Sequence, residues 1–208
     1  ILRAAGSRIT AVIGGFIVIG FALTFIIPSV IARAATMVPL VLGIIAAFEL
    51  PLQSQISKAL MLCVAFLPPL TGVGVLTGSA PNPVVNSMLA SVGAQPVSWL
   101  NWLLYVLPFS IGLAVILYFL LVKTFKFEFD ELPGGTEYIA NRVRELGPMS
   151  KMEKRISVIL ALTILMWATD KFHGIDSNTV AILSVFFMIC PYIGVATWQE
   201  LYKKVDWT

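Results

Sequence analysis

The sequence predicts an all-α polytopic membrane protein, and three observations carry that prediction. Hydrophobic residues make up 58% of the 208 positions and charged residues only 12%, against roughly 45–50% and about 25% in an ordinary soluble domain. The mean hydropathy is +0.91. The apolar residues also fall in uncharged runs long enough to face lipid, rather than in the stripes of a single soluble core. The one longer hydrophilic stretch, Lys123 to Arg155, is short and mixed in sign.

The uncharged runs define the elements. Ile9 to Val30 precedes Arg33, Ala34 to Phe48 precedes Glu49, and Ala59 to Val122, Ile156 to Thr169 and Ser177 to Gln199 follow. A straight helix rises 1.5 Å per residue and needs about 20 residues to cross the roughly 30 Å hydrocarbon layer. Ala34 to Phe48 is too short for that and is expected to be a half-helix, the second arm of a re-entrant hairpin over residues 1–48.

Ala59 to Val92 would reach about 51 Å as one helix, and it holds Pro68-Pro69, Gly72, Gly74, Gly78 and the Pro81/Pro83 pair. A broken helix is expected there, followed by a clean span at Trp99 to Val122, so that residues 49–122 form one further block. Non-helical backbone at membrane depth persists only where it lines a cavity or is buried in protein. Two interruptions therefore imply a site.

Residues 123–155 carry seven basic and six acidic side chains broken by Pro133-Gly134-Gly135 and Gly147-Pro148. They are expected to form a solvated cytoplasmic linker. Residues 156–208 open a further set of spans, Ile156 to Thr169 and Thr179 to Val195. If the hairpin enters and returns on one side and each later span crosses once, twelve of the fourteen Lys and Arg fall on one face, with Lys171 opposite and Arg33 in between. The positive-inside rule makes that face cytoplasmic. The chain also reads as a segment of something longer, since Ile1 is no initiator and the polar run Gln199 to Lys204 leads into Asp206-Trp207-Thr208.

Several function classes drop out. The basic residues sit at the ends of apolar runs, so the net charge of +3 describes topology and not a nucleic-acid surface. Cys63 and Cys190 lie inside apolar runs with no CxxC partner and are expected to be small buried hydrophobes. No cofactor is expected, and His173 lacks ligand partners at metal spacing. An intramembrane enzyme needs paired Asp, or Ser with His, within the spans, and the membrane intervals contain no acid.

Two stretches carry chemistry. In residues 25–36, FIIPSVIARAAT, Pro28 fixes a turn and Ser29 is a natural N-cap for the following helix. The start of that helix offers free N–H groups and a partial positive charge, and Arg33 adds a full charge suited to a carboxylate or sulfate. In residues 71–83, TGVGVLTGSAPNP, glycines let backbone approach a ligand, while hydroxyl, amide and freed carbonyl oxygens suit a hard cation or an oxyanion.

In this order, the two stretches resemble the divalent-anion/sodium symporter family of di- and tricarboxylate and sulfate transporters. Its first half has a helical hairpin with a Ser-Asn-Thr tip and then a broken helix with a pattern like GGxGTxxGTPPN. Here Gly72, Gly74, Gly78, Ser79, Pro81 and Asn82 match or nearly match. The flanks agree at residues 57–62, at Trp99 to Pro108, and at WATDKFHGI (167–175) and WQELYKKVDW (198–207).

The resemblance implies an inverted-repeat secondary transporter in the inner membrane, working as a homodimer on a small organic dianion. Its substrate-binding residues would be Ser29, Arg33, Ser79, Pro81 and Asn82. If Na+ is the coupling ion, Ser29, Gly72, Gly74 and Gly78 would hold it. The tip here reads Pro28-Ser29-Val30, Thr71 replaces a glycine and Val75 a threonine, so ligands for sodium are lost. The PSxxAR tip and the LTGxAPNP string are more similar to the branch of carboxylate exchangers, in which Arg33 supplies the charge that a cation supplies elsewhere. Exchange of succinate, malate, oxoglutarate or citrate is thus expected, with sodium symport of the same anions or of sulfate, and a channel or non-transporting subunit, as alternatives. The family's Ser-Asn-Thr tripeptide does occur at residues 177–179, but it lies between ordinary spans and is expected only to cap a helix.

Overall fold

A computed structural model describes residues 8–131, 148–191 and 193–202. Among these residues the regular elements are helical, as an apolar environment demands, because a helix satisfies its own backbone. In chain order they are α1 (Ile9–Ile26), α2 (Val30–Ala47), α3 (Gln55–Val73), a 3-10 turn (Leu76–Gly78), α4 (Pro81–Ser91), α5 (Trp99–Thr124), α6 (Lys151–Ala168), α7 (Asp170–His173), α8 (Ser177–Ile189) and α9 (Trp198–Tyr202). By length and composition α1, α2, α3 and α5 can each cross a membrane.

The described residues form two compact units, one within residues 1–97 and 101–146 and the other within residues 98–100 and 147–208. In the first, α1 and α2 make a helical hairpin and α3 packs against both. The core repeats at helical spacing: Ile9, Val12, Ile13 and Phe16 of α1 meet Met37, Val41 and Ile45 of α2 and Leu60, Cys63, Val64 and Leu67 of α3. At Gly20 a Cβ would collide with the Leu67 side chain, so α1 and α3 approach closely there because residue 20 has no side chain.

The half-helix is longer than the charge-free interval suggested. It starts at Val30 and runs 18 residues, about 27 Å at 1.5 Å per residue. The interval was cut at Arg33, yet Arg33 lies inside the helix and is fully buried. Ser29 starts α2 by accepting a hydrogen bond from the Ala32 N–H at 3.3 Å. Glu49 ends it in a left-handed conformation (φ 49°), with Glu49 N–H donating to the Ala46 carbonyl and Leu50 N–H to that of Ile45. This is a Schellman ending, closed by the buried Leu50.

The broken helix forms with its break where the glycines cluster. α3 continues through Pro68 and Pro69 to Val73, the 3-10 turn follows, and α4 begins at Pro81, a residue suited to a first helical position. α5 is the expected long span and extends to Thr124.

In the second unit α6 and α8 pack together. Ser150 and Glu153 form a capping box at the start of α6. Trp99 stacks on Trp167 at a 5.9 Å centroid separation, and its backbone N–H donates to Asp170 Oδ2. α8 is shorter than expected: it stops at Ile189, and Cys190 to Val195, within the expected span, is non-helical where described. Pro191 removes a backbone donor there, and Val195 and Ala196 N–H instead fold back onto the Met188 carbonyl. Cys63 is fully buried, while Cys190 is half-buried at the end of α8. His173 is exposed and accepts the Ile175 N–H on Nδ1, closing a local turn. No cluster of metal-ligating side chains occurs among the described residues.

Candidate substrate site

The hairpin tip and the break of α3 meet at Arg33. Its side chain is 0% exposed, and Nη1 donates to the Ile27 carbonyl at 2.7 Å and the Gly78 carbonyl at 2.8 Å. Nη2 donates to the Pro68 carbonyl at 2.9 Å. One guanidinium thereby ties together the tip, the last stretch of α3 and the 3-10 turn. Nε is buried without a hydrogen-bond partner, and no carboxylate pairs with Arg33 among the described residues. Among the described residues the cation is met by carbonyl dipoles and by no negative charge.

Gly72 is required by this arrangement, because a Cβ on it would lie 2.6 Å from Arg33 Nη2. Gly78 is hemmed in similarly by Thr24 and the Gly72 carbonyl. Asn82, 6% exposed, crosses the break: Nδ2 donates to the Gly72 carbonyl at 2.9 Å and the Val75 carbonyl at 2.8 Å. Ser110 Oγ donates to the Leu70 carbonyl at 2.7 Å and Trp102 Nε1 to the Val73 carbonyl at 3.0 Å. The carbonyls freed by the break thus find donors within the protein, as they must away from water.

The sequence-predicted residues separate into two groups. Arg33, Gly72, Gly74, Gly78 and Asn82 are buried, and hydrogen bonds link Arg33 to Gly78 and Asn82 to Gly72. Ser29 and Pro81 are exposed and Ser79 is half-buried. Ser79 lies beside Gly72, its Cβ 3.4 Å from where a Cβ on Gly72 would be. Ser29 follows the Ile27 carbonyl that Arg33 holds by two residues. Its oxygen accepts from Ala32 and its proton remains available. At this end the buried, braced backbone is fringed by Ser29, Ser79 and the first turn of α2, which contains no acid.

Sequence reasoning placed Thr71 among the candidate oxygens but missed Thr24 and Ser110, which hold the elements around the break. Thr24 and Thr71 are fully buried with their hydroxyl oxygens 2.9 Å apart, which links α1 to α3, and Thr71 Oγ1 reaches the Leu67 carbonyl at 3.1 Å. The available signal was a polar residue within an apolar helix, seen also at Ser110.

Comparison with known proteins bears on the family of the chain. Residues 1–208 match the model of the sodium:sulfate symporter transmembrane region. The chain belongs to that family. A protein of Cupriavidus necator, named only as a membrane protein, is 33% identical over 99% of this chain and 40% of its own length. A sodium-dependent dicarboxylate transporter of Staphylococcus saprophyticus is 26% identical over 74% of this chain and 31% of its own length. A Bacillus subtilis protein provisionally named as a malate transporter is 24% identical over 65% of this chain and 28% of its own. The chain therefore spans well under half the length of these relatives.

Proposed function

We propose that this chain supplies one half of the binding site of a transporter that exchanges small divalent organic anions, with Arg33 as a built-in cation. The observation that supports the reading is the guanidinium seated among the Ile27, Pro68 and Gly78 carbonyls. Neutral oxygens converging on one point are what a hard cation coordinates. Here a tethered cation takes that place, and Val30 and Val75 offer no side-chain oxygen beside it.

The substrate then meets the Ser29 and Ser79 hydroxyls, the first N–H groups of α2 and the edge of the Pro81-Asn82 turn. The Arg33 charge acts from behind them. With a fixed cation, the loaded protein reorients without sodium, while the empty site carries an uncompensated charge and reorients poorly. That combination yields obligatory exchange. A homodimer in the inner membrane, with the hairpin re-entrant from the cytoplasmic face, completes the reading.

The test is uptake of labelled succinate or oxoglutarate into proteoliposomes containing the full transporter, at matched sodium on both sides. Exchange requires uptake to depend on internal dicarboxylate and to ignore sodium. Uptake driven by a sodium gradient and indifferent to internal substrate returns the protein to symport, the reading favoured by the sodium-dependent dicarboxylate transporter of Staphylococcus saprophyticus. Passive, non-saturable flux points to a channel.

A further inference from the structure

The segment leaving α5 has a pattern that the transport site does not use. Residues 125–131 read FKFEFDE, and along them burial alternates, with Phe125, Phe127 and Phe129 half-buried and Lys126, Glu128 and Asp130 exposed. The period of two is that of an extended strand with one face on a core. The three phenylalanines pack on the cluster formed by α1, α2, α3 and α5.

The polar side of the segment is equally engaged. Asp130 C=O accepts the Ile9 N–H at 3.0 Å, Arg8 and Glu131 form an antiparallel bridge, and their side chains approach to 3.5 Å. Glu128 Oε1 accepts the Gln55 N–H at 2.6 Å. Ser54 already caps α3 by accepting from Ser57 N–H, so Glu128 satisfies a further orphan donor of the same first turn. One seven-residue segment therefore holds the first residues of both α1 and α3.

We propose that Phe125–Glu131 is a standing latch that fixes the open end of the hairpin to the broken helix, and so aligns the hairpin tip with the 3-10 turn at the far end of the helices. α1 is 18 residues long, about 27 Å, so a small change of splay at Ile9 becomes a displacement of similar size or larger at Ser29. The latch stays closed throughout the cycle, and the hairpin, α3 and the latch move as one piece. The transport consequence rests on the function proposed above; the latch itself does not.

Two experiments on the full transporter test it. In the first, Arg8→Cys with Glu131→Cys is oxidised in proteoliposomes. The disulfide is expected to form readily and to leave exchange within about twofold of the reduced protein. Failure to form, or exchange that stops on oxidation and returns on reduction, overturns the standing latch.

In the second, amide hydrogen exchange is followed in Phe127→Ser and in the milder, surface Glu128→Ala, with no substrate present. Phe127→Ser is expected to raise exchange at Ile9 and Gln55 at least tenfold, and Glu128→Ala to raise it several-fold at Gln55, while Val180 of α8 is unchanged. Unaltered protection at Ile9 and Gln55 in both variants sinks the latch whatever the protein transports. A KM raised with kcat kept in Glu128→Ala marks the alignment of the tip, whereas mere loss of folded protein lowers the amount of active transporter at unchanged KM.

Discussion

At Ser29 and at Asp176 the chain starts an apolar helix in two different ways. α2 is capped by a neutral hydroxyl, a single contact to Ala32 N–H, with a buried guanidinium one turn inside. α8 is capped by the Asp176 carboxylate, which accepts from both Asn178 N–H and Thr179 N–H and binds the Thr179 hydroxyl. Both ends begin with the partial positive charge of a helix N-terminus. At α8 a full negative charge of the protein's own cancels it. At α2 nothing acidic stands in the first turn, and Arg33 adds to the field. The lesson is that the family-like Ser-Asn-Thr at residues 177–179 starts its helix beside a carboxylate of the protein's own, while the less familiar Pro-Ser-Val tip does not; the function proposed above rests on that difference.

The comparison breaks most completely at Arg33. Arg33→Met removes the cation and leaves the Ile27, Pro68 and Gly78 carbonyls without their donor. Charge-assisted hydrogen bonds contribute about 1.5–3 kcal/mol each, so exchange is expected to fall at least about 100-fold even if only two are counted. Arg33→Lys keeps the charge and up to three donors and should recover more than Met does. In Arg33→Ala the emptied carbonyl cage is open to a small cation, and added sodium should restore part of the exchange where lithium or choline does not. Equal loss in Lys and Met variants with no response to sodium means the guanidinium is a packing element and not a surrogate cation.

Ser29→Asp makes the α2 start resemble the α8 start. The helix keeps its cap, since Asp and Ser serve about equally well, and the protein is expected to retain its melting temperature within a few degrees. Substrate affinity should drop by tenfold or more, because a fixed carboxylate now occupies the field that attracts a dianion. Unchanged affinity would place the substrate elsewhere.

Gly72→Ala and Asn82→Leu act one step further back. The new Cβ displaces Arg33 Nη2, at about 1–3 kcal/mol for overpacking a tight site. Loss of the Asn82 amide leaves the Gly72 carbonyl short of a donor, about 1–3 kcal/mol in a buried position. Both should lower thermal stability and exchange together, in contrast to Ser29→Asp, which separates them.

These contrasts show how far the sequence could be read. The hairpin turn at Pro28, the N-cap at Ser29 and the break at residues 74–80 were legible because each rests on local chemistry: a fixed φ, a side-chain acceptor, clustered glycines. The charge-free interval Ala34 to Phe48 was misleading, since Arg33 lies inside α2, and only tertiary packing reveals that carbonyls of the hairpin tip, α3 and the 3-10 turn solvate its cation. Thr24 and Ser110 were passed over for the same reason, because their partners lie 40 or more residues away. The alternation of residues 125–131 was visible, but the charges between the phenylalanines drew the reading toward solvent. Much of the remaining linker, residues 132–147, lies outside the described residues.

The smallest effect is expected at the closed end, and it isolates what capping alone contributes. Hydrogen bonds from the Thr179 hydroxyl, then from Thr179 N–H and Asn178 N–H, hold the Asp176 carboxyl below its usual range and outweigh a slight desolvation. A carboxyl whose folded pKa is depressed stabilises the fold fully above its unfolded value, about 3.9, and loses that contribution as pH falls through the folded value. Asp176→Ala should therefore cost about 0.5–2 kcal/mol at neutral pH, and the gap between mutant and parent should narrow below pH 4. Substrate KM should stay the same at every pH, because the Asp176 carboxylate is taken up by the start of its own helix. A KM that shifts with Asp176→Ala would show that the Ser-Asn-Thr at residues 177–179 does bind the anion, and would reverse the contrast between the two helix starts.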